Sequence, residues 1–330
     1  MTSLMAGSTP TTADMVRRRF REQPIIPLLL LLLALVILLF VVQPGLLGRP
    51  TAWASSTIRF ATPLAILAAC QTLTMLTGGI DLSVATVASA AGFIMASQAP
   101  SQGALPAIAL ALGVAATVGL VNGIGISVFR VQPLIMTLGT GLVAGGLLVV
   151  YQRFVITAGA RVPEVIAWLA GGTTFGWFAN GVLVLVPISM AIILGLRYTG
   201  YGRLLYAIGD NPVASRLAGV RVSHVQLVLY VVSGLLAGIA GIVLSGVTNT
   251  AAPTTADTYL LPSVAAAVIG GTSIFGGRGG YGGTIVGAVI LTVLTSLLTV
   301  LKAPEPVRMI VYGTIILGVA AAFARVTNDR

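Results

Sequence analysis

Residues able to do chemistry are scarce in this chain of 330, which carries a single cysteine, Cys70, a single histidine, His224, and a single lysine, Lys302. A nucleophile–base pair or a metal site needs several convergent His, Cys and carboxylate groups. One His and one Cys do not supply them. Cys70 lies in an apolar run and His224 flanks a predicted helix start, so neither belongs to a disulfide framework or a metal cluster. A GxxxxGK[ST] phosphate loop requires glycine before its lysine, whereas Lys302 follows Val300-Leu301, so the chain has no P-loop. Gly277-Arg278-Gly279-Gly280-Tyr281-Gly282 matches GxGxxG literally. It lacks the preceding strand and βαβ context of a dinucleotide site, and reads as a tight turn between apolar segments.

The chain has eight acids. Asp14, Glu22 and Asp329 are terminal, and Glu164, Asp210, Asp257 and Glu305 fall in predicted loops, leaving Asp81 alone at a helix junction. Asp81 reads as the N-cap of a helix beginning at Leu82, aided by Ser83, with contact to a substrate or gate as the alternative. An ion-coupled carrier keeps ionisable groups inside its bundle. This chain offers almost none there.

The elements that must position these groups are membrane helices. Apolar residues make up 57% of the chain and charged residues 8%, with a mean hydropathy of +1.03. Soluble chains carry about 25% charged residues. The fold class is therefore all-α and polytopic. Residues 1–22 are expected to be a disordered basic cytoplasmic terminus, 23–325 a single transmembrane domain and 326–330 a cytoplasmic tail. Ten apolar segments can be drawn: Ile25–Val42, Ile58–Thr77, Leu82–Ser97, Ala104–Phe129, Pro133–Tyr151, Val182–Leu196, Gln226–Val247, Leu260–Phe275, Thr284–Leu301 and Val307–Ala324. The first, preceded by Arg17-Arg18-Arg19-Phe20-Arg21, is about long enough to span and has no small-residue cleavage site after it. Ten spans put both termini on one side. Arg49, Arg59, Arg153, Arg161, Lys302 and Arg308 then fall outside, leaving twelve of the 18 basic residues inside, as the positive-inside rule asks. The net charge of +10 is thus a topology signal, and nucleic acid is not a partner.

Two Gly-rich breaks interrupt these segments, Gly78-Gly79-Ile80-Asp81-Leu82-Ser83 and Gly270-Gly271-Thr272-Ser273-Ile274-Phe275-Gly276-Gly277. Irregular backbone at membrane depth survives only when buried in protein or facing a water-filled cavity. Short broken segments in both halves point to transport. The charge census puts both breaks towards the cytoplasmic ends of their spans, so they read as gate or hinge elements. Two loops stand out. The outer one, 153–181, carries Trp168, Phe175, Trp177 and Phe178, suited to a membrane interface or to an external partner. The inner one, 197–225, holds a short helix with Asn211 as N-cap, Pro212 at its first position, Val213 and Leu217 on one face and Gly219 as its stop.

With these landmarks in order, the chain resembles the sugar-type permease subunits of bacterial ABC importers, the group that includes ribose and related monosaccharide permeases. The resemblance runs from about Arg17 to Arg325. It rests on Leu76–Val84, Leu120-Val121-Asn122-Gly123, Gln132–Thr140, Tyr206–Pro212 and Ala265–Ser273. The resemblance implies a multi-pass permease of the bacterial inner membrane with both termini cytoplasmic, paired with a second permease copy, identical or paralogous. It also implies ABC ATPase subunits that hold ATP and Mg, which this chain does not bind, and an extracytoplasmic sugar-binding protein. The inner helix becomes the coupling helix that docks on the ATPase through Asn211, Pro212, Ala214, Ser215, Arg216, Leu217, Ala218 and Gly219, with Ala214 and Gly219 allowing close approach. Gly78, Gly79, Asp81, Ser83, Gly270, Gly271, Gly276 and Gly277 become the gate. Gln71, Asn122, Thr137 and Thr272 are candidates to line a path for a neutral sugar, and are equally suited to interhelical hydrogen bonds. The chain departs from the family pattern at Val84-Ala85, where many members have Val-Gly, and at Leu260-Leu261-Pro262, where many have Glu-Leu-Asp. The alternatives are an amino-acid or nucleoside permease of the same superfamily, an ion-coupled carrier, and a membrane enzyme, for which the catalytic groups are missing.

Overall fold

The computed structural model describes residues 25–155 and 160–328, so the whole of the expected cytoplasmic terminus (1–22) and the end of the tail lie outside the described residues. Each of the ten apolar segments contains a helix. These are α1 (Ile25–Val42), α2 (Pro50–Leu76), α3 (Val84–Gln102), α4 (Ala104–Ser127), α5 (Pro133–Val155), α6 (Val182–Tyr198), then α9 (Val222–Thr248), α10 (Leu260–Ile269), α11 (Tyr281–Val300) and α12 (Glu305–Asn328). Two further helices, α7 (Gly200–Asp210) and α8 (Pro212–Leu217), occupy the inner loop, and a short hairpin, Thr173–Thr174 with Phe178–Ala179, sits in the aromatic loop. By length and composition alone, six helices among the described residues can cross a membrane, or seven if α6 and α7 are one span bent by 70°. Two of the others fall short for visible reasons: α3 mixes Ser, Gln, Gly and Pro into its apolar run, and α10 is half-length.

Helix α9 is the axis of the bundle and packs against α2, α3 and α4. Lipid tails are as apolar as leucine, so helices in a membrane associate through close packing, which small residues permit. A Cβ on Gly241 of α9 would lie 1.9 Å from the Ala88 carbonyl oxygen of α3, and one on Gly119 of α4 would lie 2.4 Å from that of Tyr230 of α9. Helices α10 and α11 meet the same way. A Cβ on Gly283 would lie 2.0 Å from the Gly270 oxygen, and one on Gly287 2.3 Å from that of Ala266. The backbones therefore touch, and buried Leu, Val and Ala side chains fill what remains. α1 is almost wholly exposed, with Leu39 its one buried residue against α11.

The aromatic loop and the inner loop lie at opposite ends of the bundle. At the N-terminal end of α2, Ser55 Oγ donates to the Trp177 carbonyl and Arg59 Nη1 to that of Gly171 at 2.6 Å, which fixes the aromatic loop there. Trp168, Phe175 and Trp177 are exposed. The C-terminal end of α2 carries the first break.

These contacts give a contrast. Gly241→Val forces side-chain atoms into the α3 backbone and destabilises the protein by about 3 kcal/mol or more. Gly113→Val, at an open position on α4, leaves the melting temperature in detergent nearly unchanged. Thermal unfolding of the two purified variants checks this.

Candidate coupling and gate site

Helix α8 is closed at both ends by its own sequence. The Asn211 Oδ1 accepts the amides of Val213 (3.0 Å) and Ala214 (2.9 Å), satisfying two donors that a helix start leaves free. Pro212 takes the first position, where no amide bond is lost. At the other end Ala218 is the C-cap and Gly219 turns left-handed (φ +85°). Its amide donates to the Arg216 carbonyl and that of Val220 to the Ser215 carbonyl, each at 3.0 Å, which is a Schellman motif. Of the helix only Ser215 is buried. Pro212, Ala214, Arg216, Ala218 and Gly219 are exposed, and the apolar Val213 and Leu217 stand out at 56% and 86% exposure.

Helix α7 connects this element to both breaks. It starts at a corner where Thr199 Oγ1 accepts the Gly202 amide at 3.1 Å, and it ends two residues before Pro212. Near its end Gly209 is wedged between segments from both halves. A Cβ there would lie 1.8 Å from the Leu76 oxygen and 2.4 Å from the Gly277 nitrogen. Those two atoms bond each other, with the Gly277 amide donating to the Leu76 carbonyl at 3.0 Å. Tyr206 Oη donates to the Gly279 carbonyl at 2.9 Å, and Gly276 (φ +92°) and Gly277 (φ +69°) bend the second break against Gly209 and Asp210. Gly78 (φ +78°) lies against the Phe275 carbonyl from the other side. The two breaks, read from sequence as corresponding elements, are thus in direct contact, and α7 is the third member of the junction.

Side chains brace the first break. Gln71 clamps the Asp81 backbone in both directions, its Nε2 donating to the Asp81 carbonyl at 2.8 Å and its Oε1 accepting the Asp81 amide at 3.3 Å. Thr137 Oγ1 accepts the Leu82 amide at 3.0 Å. Asn122 Nδ2 donates to Ser83 Oγ at 2.9 Å, and Thr140 Oγ1 donates to Asn122 Oδ1. The expected cap is corrected. α3 begins at Val84, Ser83 holds the N-cap position without a side-chain cap bond, and Asp81 instead closes a local turn. Its Oδ1 accepts the Ser83 amide (3.0 Å) and hydroxyl (2.6 Å), and its Oδ2 accepts the Ser233 hydroxyl of α9 at 2.8 Å. Three donors stabilise one buried carboxyl and tie the break to the central helix.

The second break is built differently. α10 stops at Ile269, short of the expected Phe275, and the chain turns through Gly270 and Gly271 (φ +92°). Thr272 is buried with its hydroxyl unpartnered, pressed by Gly279. In this conformation Gln71, Asn122, Thr137 and Thr272 are all buried. The first three spend their polar groups on the first break. Among the described residues no group of three or more His, Cys, Asp or Glu could hold a metal ion. Sequence reading did not single out Thr140, Gly209 or Ser233. Thr140 and Gly209 lay within quoted landmarks, while Ser233 signalled only as a polar residue in an apolar run.

Residues 53–320 match the family described as branched-chain amino acid transport system / permease component. The chain is 37% identical to the ribose import permease protein RbsC of Escherichia coli (strain K12) over 262 residues, covering 77% of this chain and 79% of the relative. It is 35% identical to the fructose import permease protein FrcC of Rhizobium meliloti, covering 70% and 66%. It is 32% identical to the galactofuranose transporter permease protein YtfT of Escherichia coli (strain K12), covering 95% and 93%. No solved structure matches the chain.

The junction yields a direct expectation. Gly209→Ala separates Leu76 from Gly277, so amide exchange at Gly277 speeds up about tenfold or more, a loss of about 1.4 kcal/mol in local protection. Exchange at Val213 and Ala214 inside α8 stays unchanged. Hydrogen–deuterium exchange resolved by peptide measures both.

Proposed function

The chain belongs to the branched-chain amino acid transport system / permease component family, and from that premise we propose that it is the translocation subunit of an ATP-driven importer for a monosaccharide or similar small neutral solute. The observation that carries the reading is the 37% identity to a ribose import permease across more than three quarters of the chain. The family's printed description keeps branched-chain amino acids as the competing cargo. The names of the relatives favour sugars.

In this reading two permease copies, identical or paralogous, enclose the path in the bacterial inner membrane with all termini cytoplasmic. The chain itself is non-catalytic. ATP and Mg are held by separate ATPase subunits that receive α8, and an extracytoplasmic binding protein delivers cargo at the opposite end, near the aromatic loop. α8 suits the role because both its ends are hydrogen-bonded, so a push on Val213 and Leu217 moves it as a body. α7 then carries the displacement to the Leu76–Gly277 contact, where both breaks meet. Gly78, Gly79, Gly270, Gly271, Gly276 and Gly277 are the hinges of this movement, and Asp81 and Ser83 anchor one of them to α9.

Two experiments test the reading. Proteoliposomes holding the permease, its ATPase and its binding protein should accumulate labelled D-ribose, D-fructose, D-galactose or L-leucine only with ATP inside, and the panel identifies the cargo class. Accumulation that persists without the ATPase overturns the proposal. Separately, Leu217→Glu places a charge on the most exposed apolar residue of α8 without touching its caps. It should cut ATPase co-purification by about tenfold, the effect of losing roughly 1.4 kcal/mol, with expression and melting temperature unchanged.

A further inference from the structure

Helices α6 and α7 meet at a 70° corner, and a cavity of about 320 Å³ lies beside it, walled also by α2 and α9. Its volume is at the lower end of small-molecule sites, roughly 300–1,000 Å³. The walls are aliphatic side chains and glycine, with two polar exceptions, Thr199 and Tyr201. Both are already spent. Thr199 Oγ1 donates to the Gly195 carbonyl at 2.6 Å and accepts the Gly202 amide, and Tyr201 Oη donates to the Val225 carbonyl at 2.9 Å. No side chain in the walls is left to bond the hydroxyls of a sugar, so the cavity suits a hydrocarbon. It reaches the surface at Ala191 and Thr199, both exposed, beside the exposed Met190 and Leu194 of α6. Its wall runs from Ile188 to Thr199, about 15 Å of helix, which is roughly one leaflet of a hydrocarbon core about 30 Å thick.

The rim at the corner is basic. Arg197 lies over the Tyr198 ring, 5.5 Å from its centroid, and Arg203 Nη2 lies 3.9 Å from where a Cβ on Gly200 would stand. One exposed cation therefore comes from each arm of the corner. The one ion pair among the described residues joins Glu305 and Arg308, so neither corner arginine has an acidic partner there. No acid occurs anywhere from Val182 to Gly209. The corner opens the inner loop, which is cytoplasmic in the reading above. An arginine fork matches a phosphate, and basic pockets between membrane helices on that side suit anionic head groups. Free phosphate would leave the cavity unfilled, and a purely apolar ligand would leave the arginines unpaired. A second copy of the chain fits badly. A two-fold interface sets a patch against itself, so arginines would face arginines.

We propose that this corner binds one anionic phospholipid, with its phosphate on Arg197 and Arg203 and one acyl chain in the cavity. Gly202 and Leu205 wall the cavity from α7, so a seated chain fixes the corner from which α7 extends. Lipid binding stands apart from the translocation reading, and only its consequence for coupling rests on that reading. The test uses full-length permease, delipidated in detergent and titrated with dioleoyl phosphatidylglycerol or dioleoyl phosphatidylcholine, with bound lipid counted by native mass spectrometry. Phosphatidylglycerol should be retained about tenfold better, the effect of charge-assisted bonds to its phosphate. Its binding should slow amide exchange across Gly200–Asp210 by about threefold or more. Arg197→Gln combined with Arg203→Gln should remove the preference, while Arg153→Gln, at the far end of α5, should keep it. Ala191→Phe leaves both arginines in place, closes the opening and should cut retention of both lipids, which keeps the test valid if the double variant unfolds. Equal retention of the two lipids, an undiminished preference in the double variant, unchanged retention in Ala191→Phe, or α7 exchange unmoved by lipid would each overturn the site. So would glycerol phosphate binding as tightly as phosphatidylglycerol, the mark of an anion site without a chain, or loss of a permease dimer in Ala191→Phe, the mark of an interface between copies. Uptake by the reconstituted complex would meanwhile report on the translocation reading alone.

Discussion

A backbone amide or carbonyl inside a bilayer has no water to bond, and each one left alone costs several kcal/mol. This protein breaks its backbone regularity twice, so it has to find partners for the freed groups. Much of the structure follows from how it does so. The carbonyl of Leu76, freed where α2 ends, takes the amide of Gly277, which the second break frees. Each break supplies what the other lacks, and the bond holds only while the two stay in register. Gly209 has to be glycine for the same reason, because any side chain would stand between the two atoms.

The breaks solve the rest of the problem in different ways. In the first, Gln71, Thr137 and Asp81 place side-chain groups on the amides of Asp81, Leu82 and Ser83, so the backbone is held from α2, α5 and within the turn itself. Such a network is costly to rearrange, because moving one member strands the others. In the second, glycines at positive φ let the chain turn back on itself, the Ser273 amide bonds the Arg278 carbonyl across the turn, and the Thr272 hydroxyl is left without a partner. An unsatisfied buried group raises the energy of the conformation that holds it and so favours any alternative that satisfies it. The first break is therefore the fixed member of the pair and the second the compliant one.

What was legible in the sequence follows the range of the interactions. Asn211, Pro212 and Gly219 announced α8 because caps are made within two to four residues, and all their partners are neighbours in the chain. The ten apolar segments were legible because helix and lipid both impose a local pattern. Asp81 was legible as the one acid at a helix junction but its role was not. Its bond to Ser233 joins residues far apart in the chain, and nothing in the local pattern distinguishes Ser233 from any other serine in an apolar run. The contact of Gly209 with Leu76 and Gly277 was hidden for the same reason.

In the coupling reading proposed above, the geometry favours α7 over the core as the route. A displacement entering at α8 can spread into side-chain packing, where rotamers yield and absorb it, or it can meet backbone. At Gly209 the atoms nearest to where a Cβ would stand are backbone, the Leu76 carbonyl and the Gly277 amide, and the Gly276 turn packs against the same residue. Backbone in contact with backbone has no rotamer to give, so it moves together or separates. Close-packed interfaces of this kind switch between discrete arrangements and do not deform continuously. With one break anchored to α9 through Asp81 and the other free to turn on its glycines, separation at Gly209 moves the second break. That break is continuous with α10 and α11, so both helices are tied to its position.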